Sequence, residues 1–239
     1  LLKKMKSTEV IKDKQYKDIV NHLNKDLLEE ENIPRKFEKI LRPYQKIGFQ
    51  WLKTLDNYKF GGILADDMGL GKTIQVIAMI VSCKEEQKEN KKTSLVVSPS
   101  SLALNWKNEV EKFAPELKIK VISGNANQRK EILSTIENYD LVITSYDLLK
   151  RDIELYKEKN YTFRFIIADE AQYLKNNNAK NAKAIKQINA DSRFALTGTP
   201  IENSLAELWS IFDFIMPGYL FSYKKFKSTY ETAIIKDND

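Results

Sequence analysis

The sequence has 239 residues, of which 42% are apolar and 30% are charged, a balance typical of a folded globular protein rather than a disordered chain. Its single cysteine, Cys83, excludes an internal disulfide framework, and no apolar run reaches the roughly 18 residues that a membrane-spanning helix needs. The formal net charge of +6 is compatible with a polyanionic partner, because contacts with phosphate need cations.

The predicted elements divide the chain into three parts. The first 40 residues are polar with a helical period and a break at Ile33–Pro34, so residues 1–40 are predicted to form a helical extension. In residues 41–200, short apolar runs alternate with helical patterns, which is typical of a parallel sheet covered on both faces. We therefore predict an α/β, doubly wound, mostly parallel sheet. A second helical extension is predicted over residues 201–239.

The predicted strands cover residues 61–65, 95–98, 119–123, 140–144, 165–169 and 194–197. The predicted helices between them cover residues 73–83, 102–113, 128–136, 146–157 and 179–188. Two more helices are predicted over residues 204–215 and 222–233, separated by Pro217–Gly218.

A glycine-rich turn, Gly69-Leu70-Gly71-Lys72-Thr73, follows the first predicted strand directly and opens a predicted helix. Glycines let the backbone N–H groups of such a turn surround a phosphate, and the helix N-terminus adds positive potential. In this P-loop, Lys72 would neutralise the β- and γ-phosphates of a nucleotide and the Thr73 hydroxyl would bind Mg²⁺. Asp66 occupies the position where the full pattern has its first glycine. The alternative is an ordinary strand–helix turn that contains Gly-Lys-Thr by chance.

Two further motifs also follow predicted strands. In open parallel sheets, ligands bind beyond the carboxyl ends of the strands, where Asp169-Glu170-Ala171-Gln172 begins. Asp169 is predicted to bind the metal and Glu170 to orient the attacking water, although an isolated Asp-Glu pair is more often a helix cap. The last motif contains Thr197, Gly198 and Thr199, followed by Pro200, and its hydroxyls could couple the phosphate state to movement.

The order of these motifs resembles that of Swi/Snf-type ATPases in helicase superfamily two, from about Ile33 to about Tyr230. Related RNA helicases usually carry Asp-Glu-Ala-Asp and Ser-Ala-Thr, so Gln172 and Thr197 favour the Swi/Snf group. The matching runs are Leu41-Arg42-Pro43-Tyr44-Gln45 with Gly48 and Trp51, Asp66 to Thr73, Ser98-Pro99 with Asn105-Trp106, Thr144-Ser145-Tyr146, Asp169 to Gln172 with Leu174-Lys175-Asn176, and Thr197 to Asn203.

This resemblance implies a RecA-like P-loop NTPase lobe that binds ATP and Mg²⁺, with Lys72, Asp169 and Glu170 in catalysis and Thr73 and Asp169 on the metal. The nucleotide contacts that it implies are Arg42 and Gln45 on the adenine side and Asp67, Met68, Gly69, Leu70, Gly71, Lys72 and Thr73 in the loop. It also implies contacts with the backbone of one strand of double-stranded DNA from Ser98, Pro99, Ser100, Thr144, Ser145, Tyr146, Lys175 and Asn176. Backbone contacts predict sequence-independent binding with a steep salt dependence. Trp106 is interpreted as a core aromatic residue.

In the family, ATP is hydrolysed between two RecA-like lobes, and the second lobe supplies arginines. A chain that begins without methionine and ends at Asp239 is expected to be the first lobe of a longer polypeptide, monomeric when isolated and slow or inactive in hydrolysis. No membrane association is expected; the location would be the cytoplasm, near the nucleoid, in a bacterium, or the nucleus in a eukaryote. Two alternatives remain open, namely a non-catalytic nucleotide- or partner-binding module, against which Glu170 argues, and an RNA-directed helicase lobe.

Overall fold

A parallel sheet forms the centre of the computed structural model, which describes residues 32–86, 91–202 and 204–231. Within these residues the sheet has six strands, in the order β1-β6-β5-β2-β4-β3, and every neighbouring pair is parallel. This confirms the α/β fold class and all six predicted strands. The strands are β1 (Gly62–Leu64), β2 (Ser94–Ser98), β3 (Ile119–Val121), β4 (Leu141–Ser145), β5 (Thr162–Ala168) and β6 (Asn189–Leu196).

The helices connect these strands and cover both faces of the sheet. They are α1 (Arg35–Glu38), α2 (Pro43–Asn57), α3 (Lys72–Glu86), α4 (Ala103–Phe113), α5 (Ala126–Ser134), α6 (Tyr146–Lys159), α7 (Lys180–Ile185), α8 (Leu205–Ile215) and α9 (Tyr223–Phe226), with short 3₁₀ turns at Ile136–Asn138 and Ala171–Leu174. The predicted helix over residues 222–233 is α9 followed by a π-helical turn, Lys227–Glu231. The part of the N-terminal extension before residue 32 and the end of the last predicted helix lie outside the described residues.

The helix α2 was not among the predicted elements, although its start carries recognisable signals. Pro43 occupies the first helical position, where its missing N–H costs nothing. The side chain of Gln45 turns back, and its Oε1 accepts a hydrogen bond from the backbone N–H of Arg42 at 2.9 Å. Burial of Phe49 and Leu52 then fixes the helix on the sheet.

Alternate strand residues supply two separate apolar cores. On β2, Val96 packs into the core formed with α2, α3 and α4, whereas Leu95 and Val97 pack into the core formed with α5 to α8. This alternation is what period-2 side-chain geometry requires of a sheet covered on both faces. The helix α8 belongs to the second core, since Ile211 and Phe214 are fully buried there.

A buried polar cluster joins α2 to the sheet in the half of β5 that is remote from its carboxyl end. Both terminal nitrogens of Arg164 donate hydrogen bonds to the carboxylate of Asp56, and the Ser192 hydroxyl donates a third at 2.8 Å. Asp56 is 2% exposed and Arg164 is 8% exposed. Cys83 lies beside them, and burial raises the pKa of its thiol to about 11, although the nearby cations Lys53 and Arg164 act in the opposite direction.

Candidate functional site

The site is organised by the register of three neighbouring strands. Leu64 of β1 pairs with Leu196 of β6, and Ala195 of β6 pairs with Ala168 of β5, so these strands end side by side. The backbone N–H of Thr197 donates to the carbonyl of Leu64 at 3.2 Å, which extends the pairing past the end of β6. The glycine-rich turn, the Thr197 turn and the Asp169 segment therefore leave the same edge of the sheet at adjacent points.

The glycine-rich turn has the backbone of a phosphate-binding loop. Gly69 and Gly71 have φ values of +81° and +77°, which glycine adopts without the steric penalty of a side chain, and α3 begins at the next residue, Lys72. The Lys72 ammonium donates to the carbonyls of Asp66 at 2.8 Å and Asp67 at 3.2 Å. The loop thus curls around a cation at a helix N-terminus, and both features favour phosphate.

Asp66, which replaces the first glycine of the P-loop pattern, has a structural partner. The side-chain amide of Gln75, fully buried on α3, donates to Asp66 Oδ2 at 2.9 Å and to the carbonyl of Gly71 at 3.3 Å. The aspartate therefore ties the start of the loop to the helix that ends it. This explains how the loop keeps its shape with Asp66 in place of a glycine.

The start of α2 is attached to the same loop. The side-chain amide of Gln45 donates to the carbonyl of Leu70 at 2.9 Å, and the Tyr44 hydroxyl donates to that carbonyl at 3.0 Å. Gly71 has a φ of +77° and a Cβ there would lie 2.5 Å from Gln45 Nε2, so a side chain at this position would be strained and would displace Gln45. Gln45 is buried, whereas Arg42 is exposed beside it. The structure thus brings Gln45, one of the two residues predicted for the adenine side, into contact with the loop, while Arg42 precedes the start of α2.

Asp169 is held by two hydrogen bonds at the end of β5. Its Oδ2 accepts from the indole N–H of Trp106 at 2.7 Å, and its Oδ1 accepts from the backbone N–H of Glu170 at 3.0 Å. Burial raises the pKa of Asp169 and the charge of Glu170 adds to this effect, while Trp106 and Lys72 act in the opposite direction. A bound divalent cation would favour the ionised form again, because metal ligands must be deprotonated.

Glu170 begins a chain of hydrogen bonds that reaches the Thr197 turn. The amide nitrogen of Gln172 donates to Glu170 Oε2 at 2.7 Å, and the Thr197 hydroxyl donates to Gln172 Oε1 at 3.4 Å. The backbone N–H of Thr199 then donates to the Thr197 hydroxyl at 3.1 Å. Glu170 itself has a left-handed backbone, with φ of +50°. The second and third motifs are thereby joined into one polar network.

The oxygen atoms gathered here fit Mg²⁺ held jointly with phosphate. Among the described residues there is no cluster of three or more His, Cys, Asp or Glu side chains that could hold a metal alone. Mg²⁺ usually binds through one or two carboxylates together with substrate phosphates rather than in a cage made entirely of protein. Asp169 has a carboxylate of this kind at the end of β5, and the Thr73 hydroxyl, on α3, is the second hard oxygen donor that the sequence predicts for Mg²⁺.

The residues predicted to contact nucleic acid are mostly enclosed by the fold. The side chains of Ser98, Thr144, Ser145 and Tyr146 are buried, and Pro99 is half-buried. Ser145 Oγ accepts the backbone N–H of Leu148 and so caps α6. Only Ser100 and Asn176 of the predicted set are exposed. A nucleic acid lying on this edge would therefore meet these segments through Ser100, Asn176 and backbone groups rather than through the buried hydroxyls.

Tyr146 has a structural role that the sequence did not reveal. Its hydroxyl donates to the backbone carbonyl of Asp169 at 2.8 Å, and its ring stacks on Tyr173 with centroids 5.1 Å apart. Burial, with the nearby negative charges of Asp169 and Glu170, raises the pKa of Tyr146 well above its usual value, so the hydroxyl stays protonated as a donor. Tyr146 thus fixes the backbone of Asp169.

The ammonium of Lys175 forms ion pairs with two acidic side chains. Its ammonium lies 2.6 Å from Glu202 Oε2 and 3.3 Å from Glu207 Oε2. The Ser210 hydroxyl donates to the carbonyl of Leu174 at 2.5 Å, close by. These contacts fasten the segment after Gln172 to the segment after Pro200 and to α8.

Comparison with known proteins assigns this arrangement to a family. The model of the SNF2-related domain matches residues 44–239. The chain belongs to the SNF2-related family. It is 44% identical over 191 residues to an uncharacterized ATP-dependent helicase of Mycoplasma genitalium, and 41% identical over 228 residues to the putative ATP-dependent helicase/translocase YwqA of Bacillus subtilis. These alignments cover 80% and 95% of this SNF2-related chain.

A solved structure supports the same assignment. The SWI2/SNF2 ATPase core of Sulfolobus solfataricus in complex with dsDNA has a TM-score of 0.76 to this SNF2-related chain and 44% identity, over 88% of the chain. The chain spans 18% of the Mycoplasma helicase, 24% of YwqA and 42% of the Sulfolobus chain.

The SNF2-related chain has a groove of about 1090 Å³ at the ends of β2, β4 and β3, the three strands that follow β5 in the sheet. The helices α4, α6 and α5, which follow these three strands, begin at this edge. Their N-termini carry positive potential, which favours anions. The turn at Gly124 leads into α5, where Asn125 and Gln128 cap each other at 3.0 and 2.9 Å. That capping pair is a sequence signature of a helix start, so the sequence could have indicated where α5 begins. The lining includes Ser100, Lys107, Lys120, Gly124 and Ser145.

Proposed function

We propose that this chain is the ATP-binding first lobe, with residues 41–200 as its RecA-like part, of a double-stranded-DNA-dependent ATPase and translocase. One observation carries the proposal: the register of β1, β6 and β5 brings the loop that holds Lys72 and Thr73 to the same edge of the sheet as the segment that begins at Asp169. A nucleotide-holding module would need the loop alone. A carboxylate pair next to it provides for a metal and for an attacking water, which are the requirements of hydrolysis.

Each residue has a defined part in this proposal. The loop N–H groups and Lys72 bind the phosphates of ATP, while Gln45, with Arg42, faces the adenine. Thr73 and Asp169 hold Mg²⁺, which supplies charge neutralisation at the phosphates, and Glu170 orients the water. The second RecA-like lobe of the same polypeptide supplies arginines, and such arginines contribute about 10³–10⁵ in rate. The lone lobe, a monomer in solution, therefore turns over slowly.

The network from Glu170 through Gln172 and Thr197 to Thr199 provides the coupling in this scheme. A change at the γ-phosphate alters what Glu170 contacts, and the hydrogen bonds pass that change to the turn that leads towards α8. Closing and opening of the two lobes would then move DNA stepwise.

The groove at the ends of β2, β4 and β3 is the surface that we propose for the DNA backbone. Three helix N-termini and the cations Lys107 and Lys120 line the groove, together with the carboxylates of Glu111 and Glu131. Lys107 lies 3.6 Å from Glu111, so Lys120 is the lysine that we propose to face the phosphates. A surface of this kind reads no base sequence, so affinity depends on neutralised phosphates and falls steeply with salt. The relative named as a SWI2/SNF2 core in complex with dsDNA supports DNA over RNA. We place the protein with its DNA, in the bacterial cytoplasm or the eukaryotic nucleus.

Hydrolysis measured with different nucleic acids tests this function. The longer protein that contains this chain is expected to hydrolyse ATP faster when double-stranded DNA is added, irrespective of its sequence, whereas the 239-residue chain alone stays nearly inactive but binds ATP. Stimulation by RNA in preference to double-stranded DNA would instead support an RNA-directed helicase lobe. Nucleotide binding without hydrolysis under any nucleic acid would favour the non-catalytic module.

The salt dependence of DNA binding distinguishes the part played by Lys175. Loss of one phosphate contact lowers the slope of log K against log salt by about 1. Because Glu202 and Glu207 already engage Lys175, we expect Lys175→Met to leave that slope unchanged and to lower thermal stability slightly. Lys120→Met, in the groove, is expected to reduce the slope. A reduced slope in Lys175→Met would show that Lys175 contacts phosphate after all.

A further inference from the structure

Trp106 connects the interior of the protein to Asp169. The residue lies on α4, is 1% exposed, and packs in the core between α4 and the sheet. Its indole N–H donates to Asp169 Oδ2 at 2.7 Å across 63 residues of sequence. The aspartate is 9% exposed, so both partners are shielded from competing water. A short hydrogen bond between two enclosed side chains constrains the orientation of both.

The hydrogen bonds to Asp169 leave room for a metal. Asp169 Oδ2 accepts a hydrogen bond from the indole N–H of Trp106 on α4. Its Oδ1 accepts one from the backbone N–H of the next residue, Glu170. Each carboxylate oxygen has two acceptor sites, so each keeps one. Donors on both oxygens fix the plane of the carboxylate without using its full capacity. Partners of this kind orient metal ligands, and their loss weakens metal binding.

The identity of residue 106 matters for this role. A buried indole N–H needs an acceptor, and a tryptophan that served only for packing could use any backbone carbonyl. Here the acceptor is the carboxylate at the end of β5. Phenylalanine would retain an aromatic ring in the core and lose the donor.

We propose that Trp106 is a positioning residue that holds the Asp169 carboxylate in the orientation in which it binds a divalent cation beside the nucleotide. The inference rests on the proposed function of the site. Trp106 does not touch nucleotide or metal; it acts through Asp169.

Metal affinity in the nucleotide complex tests the inference without relying on hydrolysis. The 239-residue chain is saturated with a non-hydrolysable ATP analogue, and Mn²⁺ binding is titrated by electron paramagnetic resonance, with Mg²⁺ as competitor. Trp106→Phe is expected to weaken Mn²⁺ and Mg²⁺ binding about 10- to 100-fold while metal-free nucleotide affinity, measured in EDTA, stays nearly constant. Equal metal affinity in folded Trp106→Phe and the parent chain would overturn the inference.

Two further variants separate the hydrogen bond from packing and stability. Replacing Trp106 by 3-benzothienylalanine keeps the shape of the indole and removes only the N–H, so this variant decides the matter if Trp106→Phe does not fold. It should show the same loss of metal affinity. Trp209→Phe removes an indole N–H that donates to the carbonyl of Phe221 at 3.2 Å, outside the site, and should leave metal binding unchanged.

The possible failures can be told apart. A parent chain that binds nucleotide with no effect of metal would overturn the proposed function and the inference together. If nucleotide binding by the parent chain depends on metal, and both Trp106 variants keep the metal affinity of the parent chain, only the inference is overturned.

Discussion

Lys72→Ala in the longer protein is expected to lower DNA-stimulated ATP hydrolysis by about 10²–10³-fold, the loss seen when one donor aimed at developing charge is removed. Nucleotide affinity is expected to fall as well, since a hydrogen bond to a charged group contributes about 1.5–3 kcal/mol. The reason lies in the loop, where Lys72 is the cation that the backbone turn surrounds. Steady-state hydrolysis and equilibrium binding of a labelled ATP analogue measure the two effects.

The fold should tolerate this change, because only two hydrogen bonds, to the partly accessible carbonyls of Asp66 and Asp67, are lost. Lys183→Ala, an exposed lysine on α7, provides the matched control and is expected to leave both hydrolysis and thermal stability unchanged. If Lys72→Ala hydrolysed ATP as fast as Lys183→Ala, the loop would have no part in hydrolysis. That result would contradict the proposed function.

Asp56→Ala is expected to lower the free energy of unfolding by about 3–5 kcal/mol, the cost of removing one partner from a buried ion pair. The variant leaves the Arg164 guanidinium enclosed between α2 and the sheet without its carboxylate, and it also removes the acceptor of the Ser192 hydroxyl. Urea denaturation followed by circular dichroism measures the change.

Apolar replacement of both partners is expected to give a partial rescue. An apolar pair of similar volume can replace a buried ion pair at little net cost, so Asp56→Leu combined with Arg164→Met should be more stable than Asp56→Ala. Glu154→Ala is the surface control, because its pair with Lys157 is exposed and such pairs contribute within about 1 kcal/mol. If Asp56→Ala is no more destabilised than Glu154→Ala, the buried pair contributes little to stability.

Much of the fold, and the backbone shape of the glycine-rich turn, could be predicted from local patterns. The strands are continuous apolar runs, and the loop combines Gly69 and Gly71 with Lys72 in a strand–helix context, so both are specified by neighbouring residues. The helix α2 was missed because its start is signalled only by Pro43 and by a side-chain contact from Gln45 that sequence spacing does not show.

Contacts between distant residues could not be predicted in the same way. Trp106 was correctly expected to be buried, but helical periodicity does not reveal that its N–H meets Asp169. Tyr146 was expected to contact nucleic acid, and the structure shows its hydroxyl on the backbone of Asp169. Lys175 was also expected to contact nucleic acid, and the structure shows its ammonium paired with Glu202 and Glu207. The path of the chain after Pro200 brings these two carboxylates to Lys175. These roles follow from tertiary packing rather than from motif identity.

The environment of Cys83 has a practical consequence for labelling the chain with fluorescent probes. It is the single cysteine of the chain, 4% exposed, and its raised pKa of about 11 keeps the thiol protonated at neutral pH. Because the thiolate is the reactive form, maleimide dyes should label Cys83 very slowly in the native chain. A cysteine introduced on the exposed surface could then carry a fluorophore without removing the native one. Slow labelling of Cys83 by the maleimide would itself show that the core between α3 and the sheet opens.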